Sequence, residues 1–560
     1  MNKAIWRTWH TELFSTDDER SSHPRHTQWL VRLLLILFFF RCFTSMVRES
    51  STWDETHYLG IGKYLLQHFS WDVPGSILHP PLSFMIHDLP LLFVPTDESV
   101  WRYSAGAHND PNFLLSADPA RGRQLLSSPL NARDQILTLT RLTNVFLAVL
   151  LMIYIYRWAG DLYGRRGGVL ALGLATFCPN LLAHARYITP DLPLTAFSFI
   201  FFFYLRRLMR TRSRGDSAKA GLFLGCAILS KYTAILLLPL SLLPLLSVMS
   251  CLRSRFSGTV ALSARKPLVS ALLVMWGTAI LLFFLFYRFN PTPYFKGIQF
   301  QVAHASGGHS AFLVGKYSIQ GWWYYYLVTF LVKTPVAVLV LLGIVCAATR
   351  RRPSAGGSGR TREWMLAPFP VMVFALFSVQ HQALGYRYIL PILPFLYVYL
   401  GRLTFLRSCR ARALAVAALL YYAGTSLAIH PHYLAYFNEL AGGPKNGYKV
   451  LVDSNLDWGQ DLKGLGAYAD RMGIRDLTLV YFGTDTPARY GIPVGRFYNL
   501  YSGLEPPLEF PPETTGVFAI SATELQGVYN ENHHVFDWLK GKTPVARIGY
   551  SIFVYRLGGT

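Results

Sequence analysis

Long apolar stretches alternate with short basic segments along most of this 560-residue chain. A helix that crosses a bilayer needs about 20 mostly apolar residues. On that rule the sequence predicts about eleven membrane-spanning helices, near residues 29–47, 138–157, 167–184, 190–206, 219–230, 232–250, 268–287, 324–347, 365–380, 386–402 and 411–429. The fifth and sixth divide one stretch that is too long for one helix and short for two, and Ser230-Lys231-Tyr232 is their predicted break.

The pattern changes near residue 430. Short strand-like runs at 477–482, 516–520 and 550–555 alternate there with helix-like runs such as 459–472. This length suits a small independent α/β domain. We therefore expect a polytopic α-helical membrane protein with a segment at 1–28, a transmembrane domain at 29–430 and a C-terminal α/β domain at 431–560.

About ninety residues, 48–137, separate the first two predicted spans, which is too many for a structureless loop. Residues 58–66 place apolar side chains on one helical face, as suits a helix lying on the membrane surface. Pro80-Pro81 favours a helix that starts immediately afterwards. The polar stretch 96–132 is expected to form a mobile flap.

The composition supports a membrane protein, because 52% of the residues are hydrophobic and 15% are charged, against about 25% charged in soluble domains. The net charge of +22 would suit a nucleic-acid binder, but the basic residues form short clusters between apolar runs and no nucleic-acid motif is present. With the N-terminus in the cytoplasm, alternate loops hold most of the Arg and Lys residues, as the positive-inside rule requires. The active site and the C-terminal domain are then expected on the extracytoplasmic (periplasmic) side of the inner membrane.

Two adjacent carboxylates, Asp54 and Glu55, follow the first span, and Asp191 opens a later span on the same predicted side. Ionised groups at a bilayer boundary are costly unless they are paired or functional. A carboxylate flanked by apolar residues can act as a general base on an alcohol. These three are the predicted catalytic residues, although the solvated end of a helix explains the first two equally well from position alone.

Basic residues near the same boundary could hold a phosphate, because Arg can bind phosphate oxygens bidentately. The candidates for substrate binding are Arg141, Arg186, Lys231, Arg387, His79 and His184. An Arg at a helix end more often reaches toward lipid headgroups, and a lone His is more often structural. No metal-ligand spacing is present, so no metal site is predicted, but a divalent ion between Asp54, Asp191 and a His stays open.

These acids and cations would suit a lipid-linked phosphosugar as substrate, because it has a phosphate at headgroup depth and a sugar carbon that a hydroxyl can attack. The order of the motifs resembles the protein O-mannosyltransferase family and its relatives that transfer aminoarabinose to lipid A, which share the C-type glycosyltransferase (GT-C) fold. The resemblance covers about 29–430 and rests on Asp54-Glu55, His79-Pro80-Pro81-Leu82, Asp191, the turn from Gly225 to Lys231, and Arg387-Tyr388-Ile389-Leu390-Pro391. It implies a polyprenyl-phosphate-linked sugar donor, inversion at the sugar carbon, and an acidic base, which corresponds to Asp54. The family's second acidic position corresponds to Asp191.

Two departures qualify the resemblance. The lipid A enzymes have a Lys where this chain has His79, which favours the mannosyltransferases, and no insert matches the β-trefoil of the eukaryotic ones. The run 453–462 is similar to one in bacterial relatives. Asp457 and Trp458 could grip a sugar there, but the favoured interpretation is a polar loop that caps a helix beginning near Gly459, with Asp457 near its N-cap.

The expected function is therefore transfer of mannose or another hexose to a hydroxyl of a protein, lipid or polysaccharide. A lipid-linked sugar flippase ranks lower, because transporters place charges at the bilayer midplane and often carry internal repeats. An oligosaccharyltransferase-like enzyme commonly has an Asp-x-Asp pattern in its outer loops, which Asp54-Glu55 does not supply. The sugar, the acceptor, the polyprenol length and the oligomeric state do not follow from the sequence.

Overall fold

The computed structural model describes residues 24–71, 73, 75–97, 121–245, 258–351, 363–380, 382–499 and 515–558. Most of the predicted N-terminal segment and residues 98–120 of the predicted flap lie outside these ranges. The helices up to residue 430 are α1 (Pro24–Met46), α2 (Trp53–Tyr58), α3 (Ile61–His68), α4 (Pro81–Asp88), α5 (Arg121–Ser127), α6 (Arg133–Thr176), α7 (Pro179–His184), α8 (Asp191–Thr211), α9 (Arg214–Ile228), α10 (Leu237–Leu240), α11 (Gly258–Phe286), α12 (Thr292–Ser306), α13 (Tyr325–Lys333), α14 (Val336–Arg351), α15 (Pro368–Val379), α16 (Leu393–Leu400) and α17 (Cys409–Ala428).

The chain is a multi-pass membrane protein. Six described helices are long and apolar enough to cross a bilayer, and a seventh span results if α13 and α14, which meet at 102°, are counted as one broken span. The six are His26–Met46, Arg133–Thr176, Asp191–Thr211, Pro267–Phe286, Tyr386–Phe405 and Cys409–Ala428. The predicted number of eleven is not confirmed.

Two features account for the difference in number. The predicted spans 138–157 and 167–184 fall largely within α6, whose 44 residues would extend about 66 Å at 1.5 Å per residue, twice the thickness of a bilayer core. Two helical segments meet in it at Gly164, whose φ of 75° is readily adopted only by glycine. The predicted spans 219–230, 232–250 and 365–380 correspond to helices shorter than 18 residues, namely α9 with 15 residues, Tyr232–Leu245 and Trp364–Val379, so they do not count as spans by length.

The core of the helical part lies where α6, α8 and α16 meet. The indole ring of Trp158 packs on Phe199, and Phe199 packs edge-on against Phe395, both with ring centroids 5.0 Å apart. All three side chains are buried. Aromatic rings bury a large apolar area and prefer such tilted contacts, so this cluster fixes how the three helices pack.

The C-terminal region contains the helices α18 (Leu462–Arg471), α19 (Ala522–Leu525) and α20 (Asp537–Lys540) and a five-stranded mixed sheet. Its strands are β3 (Leu477–Val480), β4 (Val494–Tyr498), β5 (Gly516–Ser521), β6 (Ala546–Ile548) and β7 (Ile552–Leu557), after a separate hairpin of β1 (Ala311–Leu313) and β2 (Lys316–Ser318). The strand order is β4-β3-β5-β7-β6, with β3 parallel to β4 and β5 and with β7 antiparallel to its neighbours. The predicted strands at 477–482, 516–520 and 550–555 are thus confirmed.

The two faces of this sheet have different partners. Leu479 and Ala519 pack with α18, whereas Val480 and Ile520, one residue further along each strand, belong to the core of the helical part. This alternation is the period of two of a β-strand. One face of the sheet therefore packs against the helical part of the chain. The predicted domain boundary at residue 431 stays a prediction.

Candidate functional site

Four separate parts of the chain surround a cavity of about 220 Å³. They are the loop that carries α2, the end of α12 with the residues after it, a 3₁₀ turn at Tyr386–Ile392, and the C-terminal region. The lining side chains with polar or aromatic groups include Asp54, Tyr58, His79, His304, His309, Arg387, Tyr388, Asp453, Trp458, Phe482 and Tyr529. Of the predicted site residues, Asp54, His79, Arg387 and Trp458 line this cavity.

Asp54 is held at the start of α2. A capping box fixes this helix: the Thr52 backbone N–H donates to the Glu55 carboxylate at 2.8 Å, and the Glu55 N–H donates back to the Thr52 hydroxyl at 3.4 Å. One turn later the Tyr58 hydroxyl donates to Asp54 Oδ2 at 3.3 Å. The same oxygen accepts a hydrogen bond from Arg387 in a buried ion pair. Asp54 thus faces the cavity with one oxygen engaged.

His79 supports this arrangement indirectly, through a contact with Tyr58. Its Nε2 lies 3.0 Å from the Tyr58 hydroxyl, which donates onward to Asp54. Burial, with a further contribution from the nearby Lys231, lowers the pKa of His79 to about 3. The imidazole is therefore neutral near pH 7, and its Nε2–H can donate to Tyr58. The geometry makes it a positioning group for Tyr58 and Asp54.

Four charges of alternating sign lie next to one another: Asp54, Arg387, Asp191 and Lys231. The Lys231 ammonium donates to Asp191 Oδ1 at 2.6 Å, and the Arg387 guanidinium lies 4.0 Å from Asp191 Oδ2. Arg387 also pairs with Asp54, so the row is neutral as a whole. Buried charges need such compensation because a lone ion in an apolar interior is very costly. Asp191 and Lys231 are not among the described residues that line the cavity.

Aromatic faces surround the positive charges of this row. The Arg387 guanidinium lies 4.5 Å from the ring centroid of Trp458, and Lys231 Nζ lies 4.6 Å from that of Tyr388. Both distances are within the range of cation–π attraction. The aromatic residues fix the cations without neutralising them, so the cations keep their affinity for an incoming anion.

Glu55 and Arg141 bind each other and do not line the cavity. Arg141 donates from Nε to Glu55 Oε1 at 2.8 Å and from an η-nitrogen to Oε2 at 2.6 Å, and both side chains are fully buried. Arg141 also donates to the backbone carbonyls of Met46 and Ser50. Burial alone would raise the pKa of Glu55, but the Arg141 charge and the backbone hydrogen bonds outweigh it and the pKa is lowered. This pair joins α2, α6 and the end of α1.

Arg186 and His184, two further predicted binding residues, also lie behind the cavity lining. Arg186 forms a buried ion pair with Glu49, whose Oε2 also accepts a hydrogen bond from the Tyr187 hydroxyl at 2.8 Å. The His184 ring packs edge-on against Trp458, with centroids 6.3 Å apart. These contacts hold the loop before α8 in place and support Trp458 from behind.

The interpretation of Asp457 as a helix cap is wrong. Gly459 has a φ of 86° and turns the chain, so α18 begins only at Leu462, with Asp461 at its N-cap. Asp457 is buried, and its Oδ2 accepts a hydrogen bond from the Thr523 backbone N–H at 2.9 Å, which ties the run 453–462 to α19. Trp458 lines the cavity, whereas its neighbour Asp457 does not.

Several lining residues are not among the site residues that the sequence predicts. Tyr58 follows Asp54 by four residues on a helix, a spacing that places both on one face and could have marked it. Asp453, Phe482, Tyr529 and His309 are distant in sequence from Asp54 and reach the cavity through the tertiary fold. No local pattern identifies such residues.

The described residues contain no group of three or more His, Cys, Asp or Glu side chains that could hold a metal ion. Where a divalent ion between Asp54 and Asp191 was left open, the guanidinium of Arg387 contacts both carboxylates. In this arrangement the positive charge between the two acids comes from the protein itself.

Among solved structures, the chain is similar to the ArnT enzyme from Cupriavidus metallidurans bound to undecaprenyl phosphate, with 14% identity over 94% of this chain and 98% of that one and a TM-score of 0.49. It is also similar to the Pmt1–Pmt2 protein O-mannosyltransferase complex of S. cerevisiae bound to its sugar donor (16% identity, 51% of this chain, 36% of that one, TM-score 0.35). A third is the Archaeoglobus fulgidus oligosaccharyltransferase in complex with Zn and sulfate (12% identity, 87% of this chain, 59% of that one, TM-score 0.40).

No curated protein matches the sequence. Residues 137–276 match the family of dolichyl-phosphate-mannose-protein mannosyltransferases. The matched stretch contains Arg141, His184, Arg186, Asp191 and Lys231, which hold or adjoin the charged groups of the site. The resemblance that the motifs indicated is therefore confirmed: over this stretch the chain is similar to the protein mannosyltransferases.

Proposed function

We propose that the protein is an inverting glycosyltransferase that moves a single sugar from a polyprenyl-phosphate carrier to an acceptor hydroxyl. The observation that carries the proposal is the row Asp54–Arg387–Asp191–Lys231, because its first two members line a cavity beside a membrane-spanning helix. A membrane-embedded protein with a base and a phosphate-binding cation at one cavity suits a donor that is itself a lipid phosphate. The family match over 137–276 supports the same reaction class.

Arg387 is the proposed ligand of the donor phosphate. It is the member of the predicted cation set that lines the described cavity, and a guanidinium can bind two phosphate oxygens at once. A bound phosphate would compete with Asp54 for this guanidinium, while Asp191 keeps its own cation in Lys231. Donor binding would thereby release the Asp54 carboxylate to act as a base.

The chemical step is then a direct displacement at the anomeric carbon. Asp54 accepts the proton of the acceptor hydroxyl as the oxygen forms a bond to that carbon. The bond from the carbon to the phosphate oxygen breaks, and its electron pair leaves with the polyprenyl phosphate, whose charge Arg387 holds. One displacement inverts the configuration and needs one base, unlike the two-carboxylate cycle of retaining enzymes.

The remaining assignments are the sugar and the side of the membrane. Mannose or another hexose is the proposed sugar because of the family match, and the site is proposed to face the periplasm because the basic loops belong on the cytoplasmic side of the inner membrane. The guanidinium of Arg387 is proposed to compensate the negative charge of the donor phosphate, so transfer is expected to persist when divalent ions are chelated.

The test is transfer of radiolabelled sugar by the full chain in lipid nanodiscs from a panel of polyprenyl-phosphate monosaccharides. Wild type is expected to release label to an acceptor or to water from at least one donor, with and without EDTA. Asp54→Asn should lose at least 100-fold, while Asp470→Asn, an exposed residue on α18, should match wild type. Release by Asp54→Asn at the wild-type rate would refute the assignment of the base.

A lipid-linked sugar flippase is the second candidate. It is favoured by the break between α13 and α14, because transporters often carry discontinuous helices with a charge at the break, here Lys333. However, the Lys333 ammonium already donates to the carbonyls of Leu434 and Asn455. Movement of a fluorescent lipid-linked sugar across vesicles without hydrolysis would support the flippase.

A further inference from the structure

Five lining residues of the cavity have a distinct chemistry that the proposed reaction does not use. They are Asp453, Phe482 and Tyr529 from the C-terminal region and His304 and His309 from the end of α12 and the residues after it. Asp453, Tyr529 and His309 are connected. The Tyr529 hydroxyl donates to Asp453 Oδ2 and lies 3.5 Å from His309 Nδ1.

Asp453 is held in an uncommon backbone conformation. Its φ is 56°, in the left-handed region that non-glycine residues rarely adopt. Its N–H donates to the Thr523 hydroxyl at 3.0 Å, which fixes the residue at the start of a 3₁₀ turn. Such conformations are energetically unfavourable and cluster at functional sites, where the surroundings maintain them. The effect here is to direct a carboxylate into the cavity.

Beside this carboxylate two aromatic rings stack on each other. The rings of Phe482 and Tyr529 are parallel within 2°, with centroids 5.4 Å apart. The His309 ring packs edge-on against the Tyr529 ring, with centroids 5.5 Å apart, and the His304 and His309 ring centroids are 6.3 Å apart. The result is an apolar face with a carboxylate and imidazoles at its edge.

A sugar ring has the complementary chemistry. Its C–H groups form an apolar face that packs on an aromatic ring, and its hydroxyls donate to carboxylates and exchange hydrogen bonds with imidazoles. A cavity of about 220 Å³ is below the ~300–1,000 Å³ of pockets that enclose drug-sized ligands. It suits ring-sized groups better than a peptide segment, whose backbone amides would need partners of their own.

We infer that Asp453, Phe482, Tyr529 and His309 form the acceptor subsite and that the acceptor hydroxyl belongs to a carbohydrate. This inference rests on the proposed function, because it assigns the second substrate of the same cavity. Asp453 is the specificity-determining residue: it binds hydroxyls of the acceptor ring and leaves proton removal to Asp54. Donor binding and activation stay with Arg387.

The experiment offers the full chain in nanodiscs two acceptor pools with the polyprenyl-phosphate sugar panel. One pool contains p-nitrophenyl glycosides of hexoses and pentoses, and the other contains Ser/Thr-rich peptides. Label is expected in the glycosides. Asp453→Asn and Phe482→Ala should raise the glycoside KM at least 10-fold, whereas the matched control Asp470→Asn, an exposed residue on α18, should keep both the glycoside KM and the release of donor sugar to water at the wild-type level.

Three results are decisive against the inference. Label in the peptides only would overturn it, as would an unchanged glycoside KM in both Asp453→Asn and Phe482→Ala. Those two results leave the glycosyltransferase proposal standing, because sugar still leaves its carrier. If wild type releases no sugar to glycoside, peptide or water from any donor, both proposals are overturned together.

Discussion

The two adjacent carboxylates of α2 are expected to respond differently to removal of their charge. Glu55→Gln should destabilise the fold, whereas Asp54→Asn should leave the fold intact and abolish transfer. Adjacent residues on a helix point about 100° apart, so the two side chains reach different surroundings. Glu55 faces the buried Arg141, and Asp54 faces the cavity.

The expected size of the effect follows from the contacts of Glu55. Its carboxylate accepts two hydrogen bonds from Arg141, at 2.8 and 2.6 Å, one from the Thr52 N–H at 2.8 Å and one from the Ile188 N–H at 3.1 Å. A neutral Gln retains one acceptor oxygen and leaves the Arg141 charge uncompensated. Breaking a buried pair in this way costs about 3–5 kcal/mol. At about 2.1 cal/mol/K of unfolding entropy per residue, a chain of 560 residues shifts by just under 1 °C per kcal/mol, so the Tm falls by roughly 3–4 °C.

The dependence on pH provides an internal check. The pKa of Glu55 is lower in the folded protein than its usual 4.5, so its ionisation stabilises the fold above about pH 4.5 and this contribution is lost as the pH falls further. The difference in Tm between wild type and Glu55→Gln should therefore be full at pH 7 and should shrink below pH 4.5.

The assay measures the Tm of the detergent-solubilised full chain by size-exclusion chromatography after heating, beside transfer in nanodiscs at 20 °C. Asp54→Asn should keep its Tm within about 1 °C of wild type, since Arg387 retains Asp191 as a neighbouring charge and is not left uncompensated. If Glu55→Gln keeps the wild-type Tm but loses transfer, Glu55 acts in the chemistry and the division of roles argued here is refuted.

Three further changes test the packing around the site. Glu524→Gln should raise the Tm at pH 8 but not at pH 4.5. Burial raises the pKa of Glu524 to about 7, so the free energy of unfolding of wild type falls by about 3 kcal/mol as the pH rises from 4.5 through 7. Equal Tm differences at both pH values would contradict this. Lys333→Met should lower the Tm because it leaves the carbonyls of Leu434 and Asn455 without their donor, and each unsatisfied carbonyl lowers the free energy of unfolding by about 1–3 kcal/mol. An unchanged Tm would show that water replaces the Lys333 ammonium as donor. Gly62→Ala should reduce both the Tm and transfer, because a Cβ there would lie 1.9 Å from the Phe84 carbonyl oxygen and must push α4 away from α3. A wild-type Tm together with wild-type transfer would refute the close contact.

Local features of the fold could be predicted because a local cause fixes them. Helix α4 begins at Pro81, as the proline pair indicated, and strands β3, β5 and β7 coincide with runs rich in β-branched and aromatic residues. The number of spans could not be predicted in this way. Length and hydropathy predict the boundary near Gly164, where two helical segments meet, but they do not reveal that the two segments form one continuous run or that α13 and α14 meet at 102°.

For the site, the sequence indicated the residue types but not their partners. Arg141 was expected to bind phosphate, yet it binds a carboxylate 86 positions earlier in the chain. Asp457 has the composition of a cap, but Gly459 turns the chain and delays the helix. Asp453 and Tyr529 come together only because the sheet places β5 and α19 against the run after residue 450. Such contacts depend on tertiary packing, which no window of the sequence contains.

The pairing of the four charges also separates the roles of the two aspartates. Asp191 is almost fully buried, is bound to Lys231 at 2.6 Å and is absent from the described cavity lining, so it has no path to the proton of an acceptor. Its contact with Arg387 instead orients the cation that Asp54 also binds. If Asp191 acted as the base, a bound phosphate would have to displace Lys231, and a buried lysine would lose its partner at a cost of several kcal/mol. Asp54 loses only a shared cation when phosphate arrives at Arg387. In the proposed reaction Asp191 is therefore a positioning residue, and Asp54 is the carboxylate that donor binding would release.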